Sequence, residues 1–276
     1  MINKFTDSEN QILRYWSDAI EIISKVNTAD GCSKQEEEKA GYLLADILRL
    51  IQAHEITWTV RKIMVDQMLL ELADNLLFSD TMLVTAEKIC LTLAEKEYFA
   101  TRLAEMDDRF FCHEAVKIYR EMGDYESAIR IKKANLETDY NYVELSQLYE
   151  NVGDQAAALQ TCLDGLAQHK GPKNLIYKYL LNYYEERHDN LAIWELFETA
   201  VKSQEDLFEV VSWMFDYCHR LDDRNGLNQV IVSLLEKKDT DIKHWFEQSQ
   251  DENGYIDWDK GEFLIENYVI ETPNKQ

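Results

Sequence analysis

From Tyr119 to Ile131 the chain reads YREMGDYESAIRI. A tyrosine is followed by a Gly-Asp break at Gly123-Asp124, a second tyrosine, Tyr125, and then a small and a branched aliphatic residue, Ala128-Ile129. The polar pair lets the chain reverse, and a small side chain early in the second helix lets two antiparallel helices approach closely. The pattern returns as Tyr149…Gly153-Asp154…Ala158-Leu159, as Tyr183…His188-Asp189…Ala192-Ile193, and as Tyr217…Asp222-Asp223…Gly226-Leu227. Tyrosine to tyrosine, the steps are 30, 34 and 34 residues. A unit repeated at that interval, unable to bury its apolar face alone, predicts a one-dimensional stack of helix hairpins. Leucine at Ala158 or Ala192 is expected to overpack the hairpin and cost roughly 1–3 kcal/mol.

Composition agrees with an all-α chain. Only nine glycines and two prolines, Pro172 and Pro273, interrupt 276 residues that are 46% apolar. Sheets need turns rich in those residues, so long helices joined by short polar loops are expected. Lys and Arg number 29 against 52 Asp and Glu, a formal charge of −23. That field repels a phosphate backbone and an anionic membrane, which argues against both as partners. Excess acid also keeps a surface solvated, and an affinity for basic partners is its sharper consequence.

The opening MINKFTDSENQILRYW lacks the apolar core of a secretory signal, and no segment approaches eighteen apolar residues in a row. Cys32, Cys90, Cys112, Cys162 and Cys218 are odd in number and widely spaced. A reducing, cytoplasmic setting is expected.

The first hundred residues carry helical periodicity without the repeat. Ile12, Leu13, Trp16, Ile20 and Ile23 mark a helix over 8–26. Ser33 with Glu36 is a capping-box signature opening a second helix through Ile51. Trp58 to Phe78 reads as a third helix, and Asp80 as the cap of a fourth running through Leu93. The expected organisation is an N-terminal helical lobe over 1–108, a repeat array over 109–238, and a C-terminal cap and tail over 239–276.

The stretch Tyr119 to Ile131 resembles the turn between the two helices of a tetratricopeptide repeat, and about 130 residues follow that pattern. The last two units depart from it, with Arg187 and Leu221 where the turn glycine is usual. More loosely, residues 137–166 are similar to the helical C-terminal part of bacterial SWIM-type zinc-finger proteins. The chain has no Cys-x-Cys…Cys-x-His motif, so nothing about zinc or DNA carries over. The resemblance implies an antiparallel helix-hairpin solenoid whose first helices line a concave face. Side chains six before, two before and one after each repeat tyrosine would then share a stripe. These are His113, Lys117 and Arg120; Val143, Gln147 and Glu150; Tyr177, Leu181 and Tyr184; Val211, Phe215 and Cys218. Such a groove would suit a peptide with an acidic end and apolar anchors. Tyr177, Tyr184 and Phe215 would be the anchors, with Lys117 and Arg120 setting orientation.

Two other segments invite chemistry. In Ser249 to Phe263, SQDENGYIDWDKGEF, Asp251, Asn253, Gly254, Ile256 and Asp257 fall at EF-hand loop positions. Ser249 replaces the first aspartate, Lys260 replaces the bidentate glutamate, and Glu262 comes two residues late. An acidic turn is the expectation there, and a calcium-responsive regulator the alternative. Cys112-His113 and Cys218-His219 pair a thiol with an imidazole, but neighbours on a helix point about 100° apart. No phosphate loop, dinucleotide fingerprint, zinc-protease or nucleophile-elbow motif occurs. The expectation is a noncatalytic adaptor that binds a protein or peptide, with no cofactor, metal, nucleic acid or membrane partner. A homodimer through an open terminal repeat, and an enzyme with an unrecognised site, remain alternatives.

Overall fold

A computed structural model describes residues 5–25, 31–72, 78–106, 108–203, 208–223, 225–227 and 229–230. These residues hold twelve α-helices and no strand. The chain divides into two compact units, residues 1–135 and 136–276.

In residues 1–135, α1 (Asp7–Lys25) buries Ile12, Trp16, Ala19, Ile22 and Ile23 along one stripe. Glu9 begins that stripe although it is charged. Its carboxylate accepts from the Thr6 amide at 2.9 Å, the Thr57 amide at 3.1 Å and the Thr57 hydroxyl at 2.6 Å. One side chain thus closes the start of α1 and ties it to the start of α3 (Trp58–Leu72). The Ser33–Glu36 capping box forms as expected and opens α2 (Lys34–Ala53).

The fourth helix differs from the sequence reading at both ends. α4 (Ser79–Ile89) starts after Phe78 with no side-chain cap, and Asp80 lies inside its first turn, where its charge favours the helix dipole. Cys90 turns extended and ends it, and a second capping box, Thr92 with Glu95, opens α5 (Leu93–Ala104). Glu95 is 7% exposed and pairs with Arg61 of α3, itself 5% exposed. The pair is fully satisfied. Arg61 also donates to the carbonyls of Ile56 at 3.1 Å and Ile89 at 2.7 Å, and Glu95 accepts from the amides of Leu91 and Thr92. Burial pushes the Glu95 carboxyl up, but the bonds from Arg61, Leu91 and Thr92 outweigh it and hold it below the usual range. The unit ends with α6 (Arg109–Glu121), packed on α5, and α7 (Tyr125–Lys133).

Residues 136–276 contain α8 (Asp139–Asn151), α9 (Gln155–Gln168), α10 (Asn174–Glu186), α11 (Asn190–Ser203) and α12 (Phe208–Arg220). Their core gathers Tyr142, Ile176, Tyr177, Leu180, Phe197, Val211, Met214 and Phe215.

One joint occurs four times. The helix stops at a residue with left-handed backbone: Gly123 (φ 78°), Gly153 (φ 81°), His188 (φ 55°) and Asp222 (φ 51°). The next residue is always aspartate. Its amide reaches back to the carbonyl of Tyr119, Tyr149, Tyr184 or Cys218 at 2.8–3.0 Å. Its carboxylate caps the following helix through the amide of Ser127, Ala157, Ala192 or Gly226 at 2.9–3.1 Å. This is a Schellman stop merged with an N-cap.

The joint fixes the repeat register. Tyr184 and Cys218, not Tyr183 and Tyr217, are the counterparts of Tyr119 and Tyr149, so the tyrosine landmark places the last two units one residue early. His188 and Asp222 take the glycine position, not Arg187 and Leu221. Four residues after the aspartate stand Ala128, Ala158, Ile193 and Leu227, all buried. Ala192 precedes that position and is only half-buried, so the overpacking expected of Ala192→Leu loses its basis. Ala158 keeps the role. The Ser146 hydroxyl of α8 lies 2.9 Å from the Ala158 carbonyl, an approach that a larger side chain would block.

Candidate functional site

The first helices of the hairpins in residues 136–276 lie side by side. Tyr179 of α10 donates to Glu150 of α8 at 2.7 Å, and the Leu175 amide to Asp139 at 3.1 Å. Arg220 of α12 contacts both oxygens of Glu185 of α10 at 2.8 Å. Burial, then the bond to Glu150, raises the Tyr179 hydroxyl far above the phenol range, so it stays a neutral donor.

A one-residue slip in register turns a helix by about 100° and exchanges an outward residue for an inward one. Tyr177 is 1%, Val211 4% and Phe215 3% exposed; these three are core residues that no partner can reach. Cys218 is buried with them, and Leu181 and Tyr184 are half-buried against the same core. Gln147, in a unit read in the right register, is exposed. On α6, His113 is half-buried, while Lys117 and Arg120 are exposed. Lys117 sits 3.5 Å from Glu114, an exposed pair of small energetic weight.

Counted from the joint, the outward positions become Val143, Gln147 and Glu150 on α8; Lys178, Asn182 and Glu185 on α10; Ser212, Asp216 and His219 on α12. None of the last six is buried. The stripe is polar where an apolar one was expected. The signal that would have found it was present: the aspartate of each break, not the tyrosine, holds constant spacing to the helix on either side.

Between α10 and α12 this stripe encloses a groove of about 80 Å³. The buried Ile193 and Tyr217, the half-buried Leu181 and Trp213 and the Glu185–Arg220 pair line it. The Tyr217 hydroxyl is committed to Asn190 at 2.7 Å. Lys178, Asn182 and Asp216 also line it and make no hydrogen bond or ion pair among the described residues. Ligand cavities run to roughly 300–1,000 Å³, so this groove suits one side chain and not an organic substrate.

Cys90, Cys162 and Cys218 are buried and offer no activated nucleophile. Burial pushes the thiols of Cys90 and Cys162 up to about 12 and, with Asp223, that of Cys218 to about 11, the reverse of an activated thiolate. Among the described residues no three His, Cys, Asp or Glu side chains are gathered as metal ligands. The EF-hand-like stretch 249–262 lies outside those residues. No described helix is long and apolar enough to cross a membrane.

No known protein family matches the chain, and no curated protein does. It is similar to a solved de novo designed helical repeat protein at 14% identity, covering 86% of this chain and 96% of that one, with a TM-score of 0.17. At so low a score the helical-repeat assignment rests on the four joints of the chain itself.

Proposed function

We propose that the chain is a noncatalytic scaffold that recruits a protein or peptide through the face shared by α8, α10 and α12. One observation carries this reading. Gln147, Asn182 and Asp216 occupy the same repeat position on three adjoining helices, and all three are exposed. Asn182 and Asp216 have no partner among the described residues, so neither is engaged in holding the fold together. Partner contacts would come from a polar row flanked by the half-buried rings of Tyr184 and Trp213, the anatomy of a modest, specific interface. On α6, the exposed Lys117 and Arg120 add two cations, the first beside Glu114.

A photo-crosslinking residue at Asn182, and as control at exposed Glu38 of α2, tests it in the native cell. One recurring protein attached at Asn182, absent from the control and lost when Asp216 is changed to Arg, is the expected result. Crosslinks no richer than the control would refute the reading. A second copy of this chain as the product would replace it with a homodimer.

A further inference from the structure

We propose that the α10–α12 groove holds a basic side chain, arginine or lysine, of an extended protein segment, with Asp216 as its counter-ion and Trp213 as its wall. This rests on the scaffold reading above and names the partner's chemistry. Trp213 and Asp216 stand three residues apart on α12, so ring and carboxylate face the same side. A cation placed there meets an indole face and an anion together. Leu181 and Ile193, which line the same groove, accept the aliphatic stem, while the charged head stays at the rim. At about 80 Å³ the groove has room for one such side chain.

The groove is lined by two acids, Glu185 and Asp216, and two bases, Lys178 and Arg220, so its polarity is set by which of them are paired and by the Trp213 ring beside Asp216. Arg220 is neutralised by its two contacts to Glu185, so Asp216 is the uncommitted anion. Lys178, which also lines the groove, is the opposing charge; it sits on α10, one turn before Asn182, and lowers the affinity for a cation. Tyr217 stays neutral, its hydroxyl raised by burial and bonded to Asn190. Asn182 supplies both a donor and an acceptor to the segment's main chain. The formal charge of −23 on the whole chain draws cationic segments toward any such site.

The test uses the full chain with ¹⁵N-labelled tryptophan and the indole resonance of Trp213, assigned through Trp213→Phe. Short Gly-Ser peptides carrying one central Arg, Glu or Ala are titrated at low salt. The Arg peptide is expected to shift that resonance, and the Ala and Glu peptides are not. Asp216→Asn should weaken the Arg peptide by about tenfold, and Lys178→Gln should tighten it by about threefold. The remaining indole signals report whether each variant is folded. A Glu peptide that binds better than the Arg peptide, an Arg peptide that leaves Trp213 unmoved, or undiminished binding by Asp216→Asn would overturn the proposal. Crosslinking at Asn182 that survives alongside any of those results leaves the scaffold reading standing and removes only the basic ligand.

Discussion

Replacing Gly153 by alanine isolates the energetic weight of the repeated joint. Gly153 has φ 81°, and a methyl group built on it would meet nothing within 4 Å, so steric overlap plays no part. What remains is conformational. A left-handed backbone costs an L-residue about 1–2 kcal/mol, and a less flexible unfolded chain returns about 0.4–1 kcal/mol. The net expectation is a loss of about 1 kcal/mol, or roughly 2–4 °C in the melting midpoint of a unit this size. Asparagine tolerates the left-handed region better than alanine, so Gly153→Asn should be the milder variant although it is larger. His188→Gly is the converse experiment. His188 is exposed at φ 55°, and its removal should stabilise the same unit by about 0.5 kcal/mol. Calorimetry and urea unfolding of the four proteins measure these differences. Asparagine proving worse than alanine would show that the site is governed by size, and an unchanged midpoint for Gly153→Ala would remove the joint from the account of stability.

Glu95→Gln leaves Arg61 buried against a neutral partner and should cost about 3–5 kcal/mol in urea unfolding. The same pair predicts acid sensitivity. Glu9 and Glu95 are held below the usual carboxylate range when folded, so their contribution is complete above the unfolded value and vanishes as pH falls through the folded one. A stability profile below pH 5 should therefore be flatter in Glu95→Gln than in the parent chain. Ala158→Leu should lose roughly 1–3 kcal/mol by forcing α8 from α9, whereas Ala192→Leu, half-exposed, should stay within about 0.5 kcal/mol. Tyr177→Ala should cost about 3–5 kcal/mol as a core deletion, while Asn182→Ala leaves the melting curve unchanged and acts only on partner capture.

Helix identity and the hairpin repeat were legible because their causes are local. Ser33 and Glu36 meet across one turn, and Gly123-Asp124 and Gly153-Asp154 announce their joints directly. The register of the last two units was not legible from tyrosines. Glycine is absent there, and adjacent aromatics, Tyr183 beside Tyr184, leave the period ambiguous by one residue. That single residue decided the candidate site, moving the expected anchors Tyr177 and Phe215 into the core and bringing Asn182 and Asp216 to the surface. The start of α5 was legible in Thr92 with Glu95, a capping-box pair like Ser33 with Glu36, but the apolar run from Ile89 to Leu91 masks the stop at Cys90 between the two helices. The Arg61–Glu95 pair, thirty-four residues apart, depends on packing that a linear reading does not contain.

Each first helix, α6, α8, α10 and α12, has 13 residues, whereas the second helices α7, α9 and α11 have 9, 14 and 14. Length varies in the second helices, while the first helices share one gauge of about 20 Å. Because main-chain bonds and a lone carboxylate close every hinge, a hairpin from this chain is a cassette. Its outward residues can be rewritten without touching the bonds that close the hinge.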